Sequence, residues 1–192
     1  MNLLELRRQI LHLVYGPIIV LLYEYRLINL SLLTGVIIGG SIASLLVKRQ
    51  KLPLVRKALA YFERDHHLES FPGRGILFFT IGAALVLAIF PKEIAYAGIL
   101  ILSAGDAVTN VVGRNFGRIK TRLNPNKSVE GTFTGVLVSI PIAYYFSHNP
   151  AASIAAACIA MFLEMPTIKI GSFEIDDNLL IPLGASLTLS LF

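Results

Sequence analysis

Seven apolar runs, at about residues 10–23, 27–47, 76–91, 94–112, 132–147, 151–165 and 179–192, constrain this chain more than any other feature. A helix needs about 20 residues to cross a bilayer. Several runs are shorter, so flanking amphipathic residues must extend them or they stop partway. Composition agrees with a membrane setting. The 192 residues are 55% hydrophobic and 15% charged, with a mean hydropathy of +0.69. Soluble domains carry about a quarter charged residues. The expected fold is all-α: a polytopic integral membrane helix bundle of about seven transmembrane segments, forming one domain over residues 1–192.

Charge sets the expected orientation. With the N-terminus in the cytoplasm, fifteen of the seventeen Lys and Arg residues fall on the cytoplasmic side, leaving only Arg26 and Lys92 opposite. The positive-inside rule favours that arrangement, and an odd number of segments then places Phe192 outside. The net charge of +5 is explained by these loops and does not call for nucleic acid. Arg7 and Arg8 precede an apolar run that no small-residue cleavage site follows, so the first segment is expected to stay. The single cysteine, Cys158, excludes an intrachain disulfide and Cys-based zinc.

The polar residues that remain gather on the cytoplasmic side, around the connections 48–75, 113–128 and 166–178. Asp106 lies inside an apolar run, and an ionisable residue there marks a site by default. Asp106, Asn110, Gly113 and Gly117 share one helical face. A basic loop follows with Arg114, Arg118, Lys120, Arg122 and Lys127. Ser128 is a natural N-cap for the next helix, whose N-terminus beside Lys127 suits an anion. Glu130 and Gly131 follow it. Asn126-Lys127-Ser128 lacks the upstream glycines of a P-loop.

Glu5, Arg8 and His12 also share a face. They read either as interfacial anchors or as a triad reaching into a pocket. The stretch 48–74 suggests an amphipathic helix on the membrane surface, with Arg56, Lys57, Glu63 and Arg64 outward. His66 and His67 are adjacent and cannot share a helical face, so they are expected at the surface. Arg74, at the start of the third segment, is a phosphate contact or an anchor. Glu164 ends the sixth segment. Glu174, Asp176, Asp177 and Asn178 precede the seventh. These acids either complement the helix dipole or supply oxygen ligands for Mg²⁺ held with nucleotide phosphates.

G-D-A-V-T-N-V-V-G-R-N-F-G-R followed by N-K-S-V-E-G-T resembles the CTP-dependent lipid kinases: dolichol kinase, phytol kinase and CTP-dependent diacylglycerol kinase. The N-terminal E-L-R-R-Q-I-L-H is similar to that family's E-x-x-R-K-x-x-H. Gln9 follows Arg8 here and the dibasic pair is Arg7-Arg8, an offset of one. F-P-G-R-G, Glu164 and D-D-N-L-L-I-P look like family features too. The resemblance implies CTP as phosphate donor, Mg²⁺, and a long-chain lipid alcohol or diacylglycerol as acceptor. It implies a nucleotide site including Asp106, Gly113, Lys127, Ser128, Glu130 and Gly131, and a need for Arg7 and Arg8.

The phosphatidate cytidylyltransferases share D…G-R-x-F-G and P-x-K-S/T-x-E-G. Their second signature, ending in D-R-x-D, is missing, which favours the kinase. The expected enzyme phosphorylates a polyprenol, dolichol or diacylglycerol at the cytoplasmic surface. Asp106, Arg7, Arg8 and His12 are its candidate catalytic residues. Asn110, Gly113, Arg114, Gly117, Lys127, Ser128, Glu130 and Gly131 are its candidate nucleotide residues. Asp106, Glu130, Asp176 and Asp177 are its candidate metal ligands, and Glu5, Arg74, Glu164 and Asn178 complete the pocket. The competing readings are a CDP-lipid-forming cytidylyltransferase, a non-enzymatic lipid or ion transporter, and a structural membrane subunit. A transporter would also need polar groups at mid-membrane and on the far side.

Overall fold

Five helices begin at a side chain that accepts from their own unpaired backbone N–H groups, among the described residues. Asn2 accepts from Glu5 N, Asn29 from Leu32 N, Ser128 from Gly131 N, Asn149 from Ala151 N and Ala152 N, and Asp176 from Asn178 N. The computed structural model describes residues 2–171 and 173–192. Its helices are α1 (Leu3–Glu24), α2 (Leu30–Lys48), α3 (Pro53–Leu59), α4 (Asp65–Ser70), α5 (Arg74–Ile89), α6 (Lys92–Ile101), α7 (Ala107–Asn115), α8 (Val129–Ser147), α9 (Pro150–Glu164) and α10 (Asp177–Leu189). A π-helical turn, Leu102–Asp106, joins α6 to α7 without a break. A two-residue ladder, β1 (Lys169–Ile170) with β2 (Phe173–Glu174), folds the loop before α10.

Each of the seven apolar runs lies in a helix. Among the described residues, length and composition single out three that can cross a membrane: Leu30–Lys48, Lys92–Asn115 and Val129–Ser147, with mean hydropathies of 2.1, 1.5 and 1.2. Arg74–Ile89 and Pro150–Glu164 are apolar but shorter. The α6–α7 rod is buried over most of its length and forms the axis. α2 and α8 are mostly exposed. Their outward faces, like that of α1, carry large apolar residues such as Ile10, Leu21, Val36, Ile42, Phe133 and Leu137. A surface this apolar suits lipid contact.

The core explains the alanine-rich sequence of α9. Ala152, Ala156 and Ala160 are fully buried, as are Ala83, Ala95 and Ala185 on α5, α6 and α10. Small residues let backbones approach where no water drives association. Larger side chains, including Phe79, Ile99, Leu102, Met161 and Ile181, fill the centre.

α1 docks on the π-helical turn. Pro17 has no N–H, so the Leu13 carbonyl loses its helical partner. The Ser103 hydroxyl lies 2.9 Å from that carbonyl and 2.7 Å from the one of His12, and donates there. Gly16 permits the approach: a Cβ at that position would stand 2.6 Å from Ser103 Cβ. At the far end of the bundle Lys92 Nζ holds Glu24 at 3.0 Å, a second tie between α1 and the α6–α7 rod.

The connection from α2 to α5 departs from the expected amphipathic helix. α3 ends at Leu59 and has no buried residue. The chain then turns, so helical periodicity no longer governs Glu63 and Arg64, and both face inward. Glu63 is buried and accepts from Gly73 N at 2.8 Å. Gly73 adopts φ +81°, a conformation that favours glycine.

Candidate active site

The N-terminal ends of α1, α5 and α10 and the C-terminal ends of α7 and α9 meet at one end of the bundle. With the loops between them they enclose a cavity of about 500 Å³. Of the residues expected at the site, Glu5, Arg8, His12, Arg74, Asp106, Asn110, Arg114, Lys127, Glu164, Asp176, Asp177 and Asn178 line it.

One wall is basic. Glu5, only 4% exposed, is surrounded by Arg8, Arg64 and Arg114, and Gln9 donates to it at 2.9 Å. The opposite wall is acidic. The π-helical turn carries Asp106 there, 7% exposed and with Asn110 Nδ2 donating to its Oδ1 at 2.8 Å. Such a turn adds a residue to a helix and re-aims the side chains beyond it. Lys127 Nζ donates to the fully buried Glu164 carboxylate and stands 3.9 Å from Asp106 Oδ1. Burial opposes the Lys127 charge, but Glu164, Asp106 and Asp177 outweigh it and hold its pKa above the ordinary lysine value.

A chain of hydrogen bonds crosses the floor. Arg74 Nε donates to Asp176 Oδ2 at 2.8 Å. Asn178 Nδ2 donates to Asp176 Oδ1 at 2.6 Å. The Asn178 carbonyl oxygen therefore faces His12, whose Nε2–H donates to it at 2.7 Å. The tautomer with its proton on Nε2 carries a lone pair on Nδ1. That atom is buried without a hydrogen-bond partner, 3.8 Å from Asp106 Oδ2. Phe79 packs edge-on against the His12 ring at 4.8 Å and against Tyr15 at 5.2 Å. Burial, followed by the Asp177 charge, raises Asp176 to about 6 despite Arg74.

Other expected site residues lie outside the cavity. Arg7 stacks over the Tyr61 ring at 5.5 Å. Gly113 and Gly131 face each other where α7 crosses α8; a Cβ on Gly131 would stand 2.6 Å from the Thr109 carbonyl. Gly117 packs against Ser128. These glycines serve helix contact. Ser128 is buried, and its hydroxyl takes the Gly131 N–H at 3.1 Å, so the start of α8 offers no open anion seat. Glu130 accepts from Arg118 N and Ile119 N at 2.9 and 3.0 Å, which turns its carboxylate to the basic loop rather than to a metal.

Gln9, Tyr15, Phe79 and Arg64 also line the cavity, beyond the residues expected there. Gln9 lies four residues from Glu5 and so shares its face; nothing in the sequence signals the inward turn of Arg64. His66 and His67 also line it; His66 is exposed, as expected, whereas His67 is half-buried. Burial first, then His66 and the neighbouring arginines, lower His67 to about 4.

The carboxylates facing the cavity offer a divalent cation only part of a coordination shell. Among the described residues no three His, Cys, Asp or Glu side chains form a metal cluster of their own. Asp106 and Asp177 both line the cavity and both act on Lys127. Mg²⁺ commonly takes one or two carboxylates and completes its shell with phosphates and water.

Fold and pocket together define a helical membrane protein with a polar cavity at one end. No family model matches the chain, and no solved structure matches it. Curated relatives do. The chain is 31% identical over 129 residues to CTP-dependent diacylglycerol kinase 1 of Schizosaccharomyces pombe, covering 61% of this chain and 59% of that protein. It is 32% identical over 127 residues to the chloroplastic farnesol kinase of Arabidopsis thaliana, covering 59% and 41%. The phytol kinase of Synechocystis sp. is 25% identical over 191 residues, covering 95% and 77%. The chain spans about half the length of the first two. Its similarity is to the CTP-dependent lipid kinase family, in agreement with its motifs.

Proposed function

We propose that this protein transfers the terminal phosphoryl group of CTP to the hydroxyl of a membrane lipid alcohol, a dolichol-type polyprenol or diacylglycerol. The observation that carries this reading is the pair of opposed walls, arginine-rich and carboxylate-rich, at one end of an apolar bundle. The end bearing the pocket also carries fifteen of the seventeen basic residues, which supports a multi-pass chain with its site at the cytoplasmic surface.

In this reading Arg114 and Arg8 neutralise donor phosphates, as Arg forks do. Lys127, paired with Glu164, sets the charge beside Asp106. Asp106 and Asp177 would hold Mg²⁺, which when bound offsets charge on the phosphate oxygens. The lipid hydroxyl sits beside His12. Its oxygen bonds to the γ-phosphorus, the bond from that phosphorus to the β–γ bridging oxygen breaks, and CDP leaves. His12 Nδ1 takes the hydroxyl proton, and Asp106 steadies the imidazolium so formed. The hydrogen bonds through Asn178 and Asp176 keep the ring oriented.

Purified protein with γ-labelled CTP and a panel of polyprenol, diacylglycerol, phytol and farnesol should yield labelled lipid phosphate and CDP. Pyrophosphate release with CMP attached to lipid would instead establish cytidylyl transfer. A transporter would make neither product, and CTP would leave its melting temperature unchanged.

A further inference from the structure

One carboxylate holds three cations in the pocket wall. Arg8 Nη1 and Arg64 Nη2 each lie 3.0 Å from Glu5 Oε2, and Arg114 Nη2 lies at 3.5 Å. The three come from α1, from the turn before α4 and from α7. Glu5 cancels one charge and leaves an excess of two. Each guanidinium carries five N–H donors, far more than one carboxylate accepts. Like charges this close repel, so the cluster is strained toward further anions. Glu164 and Asp176 are taken up by Lys127 and Arg74. The Arg64 and Arg114 side chains are 38% exposed and both line the cavity.

We propose that Arg64 is a polyphosphate-binding residue, seated by Glu5 alongside Arg8 and Arg114 to grip the phosphate chain of the donor nucleotide. Glu5 is a positioning residue that keeps three like charges together before the ligand arrives. The proposal rests on reading this pocket as a nucleoside triphosphate site. It adds Arg64 and its Glu5 seat to the phosphate-binding wall, and it makes the connection between α2 and α5 part of the site. Arg suits the task because its planar fork pairs with two phosphate oxygens at once.

The test measures binding of CTP, ATP, GTP, CMP and inorganic tripolyphosphate to the full chain in nanodiscs. The wild type should bind CTP and tripolyphosphate, with CMP much weaker. Arg64→Ala should weaken CTP and tripolyphosphate alike, by about tenfold to a hundredfold, and leave CMP unchanged. Arg64→Lys, which keeps the charge without the fork, should recover part of the loss. Glu5→Gln should also weaken both polyanions, although it makes the wall more positive; tighter binding would reject its positioning role. Arg56→Ala, on α3 outside the pocket, removes the same charge and should bind as the wild type does.

Unchanged tripolyphosphate affinity in folded Arg64→Ala overturns the proposal, and so does an equal loss in Arg56→Ala. Should Arg64→Ala not purify folded, Arg64→Gln is judged by the same criterion. A wild type that binds tripolyphosphate and another nucleoside triphosphate but not CTP rejects the donor while leaving the Arg64 seat standing. A wild type that binds no polyphosphate rejects both.

Discussion

His12 shows how far a single residue depends on its supports. Its proposed role as base rests on the Nε2 proton being held by Asn178, whose own amide is turned by Asp176. Asn178→Leu removes the acceptor and frees the ring. We expect kcat to fall by roughly a hundredfold, with the KM for CTP nearly unchanged, in a labelled-CTP assay. A matching rise in KM with kcat intact would reject the relay. Ser103 offers a second case, since its hydroxyl serves two carbonyls beside Pro17. Ser103→Ala should destabilise the protein by about 1 kcal/mol, read from denaturant unfolding in detergent. His67 supplies a pH signature. Its pKa is 6.5 when unfolded and about 4 when folded. Between those values the unfolded chain binds a proton that the folded chain refuses, so stability falls as pH drops through the window and levels off above it. His67→Gln should therefore lose less melting temperature than the wild type between pH 6.5 and 4.

Among elements, the α7–α8 crossing depends on missing side chains. Gly131→Ala would press a methyl group on the Thr109 carbonyl; overpacking of this kind costs about 1–3 kcal/mol and should lower the melting temperature without a change at the pocket residues themselves. This crossing also marks the limit of what the sequence discloses. Hydropathy locates the helices, because burial in lipid or core demands long apolar runs. Asp106, Asn110 and Lys127 stand out because charge and amide in or beside such runs are costly. Spacing alone does not tell a glycine that admits a ligand from one that admits a helix, so Gly113, Gly117 and Gly131 read as nucleotide contacts until the packing is seen. Glu130 matches a motif, yet its carboxylate serves loop backbone. The direction of Arg64 and Glu63 is hidden because a turn after α3 ends the periodicity that would predict it. The π-helical turn leaves no mark in hydropathy at all.

For the whole molecule, orientation is the testable quantity. Cys158 is exposed on α9, so a Cys158→Ser background is needed. Thr167→Cys in that background places a thiol at the pocket. An impermeant maleimide should label it in sealed inside-out vesicles and spare it in right-side-out ones; the reverse pattern would invert the topology. The pocket is also assembled from opposite ends of the sequence, because His12 leans on Asn178, 166 residues later. During synthesis the His12 imidazole emerges long before the residue it pairs with on α10. Until α10 inserts, the nascent chain lacks the Asn178 acceptor for the His12 Nε2 proton. A ribosome stalled before α10 would thus display α1 with its histidine unsupported, and the activity proposed above would require α10 to have docked.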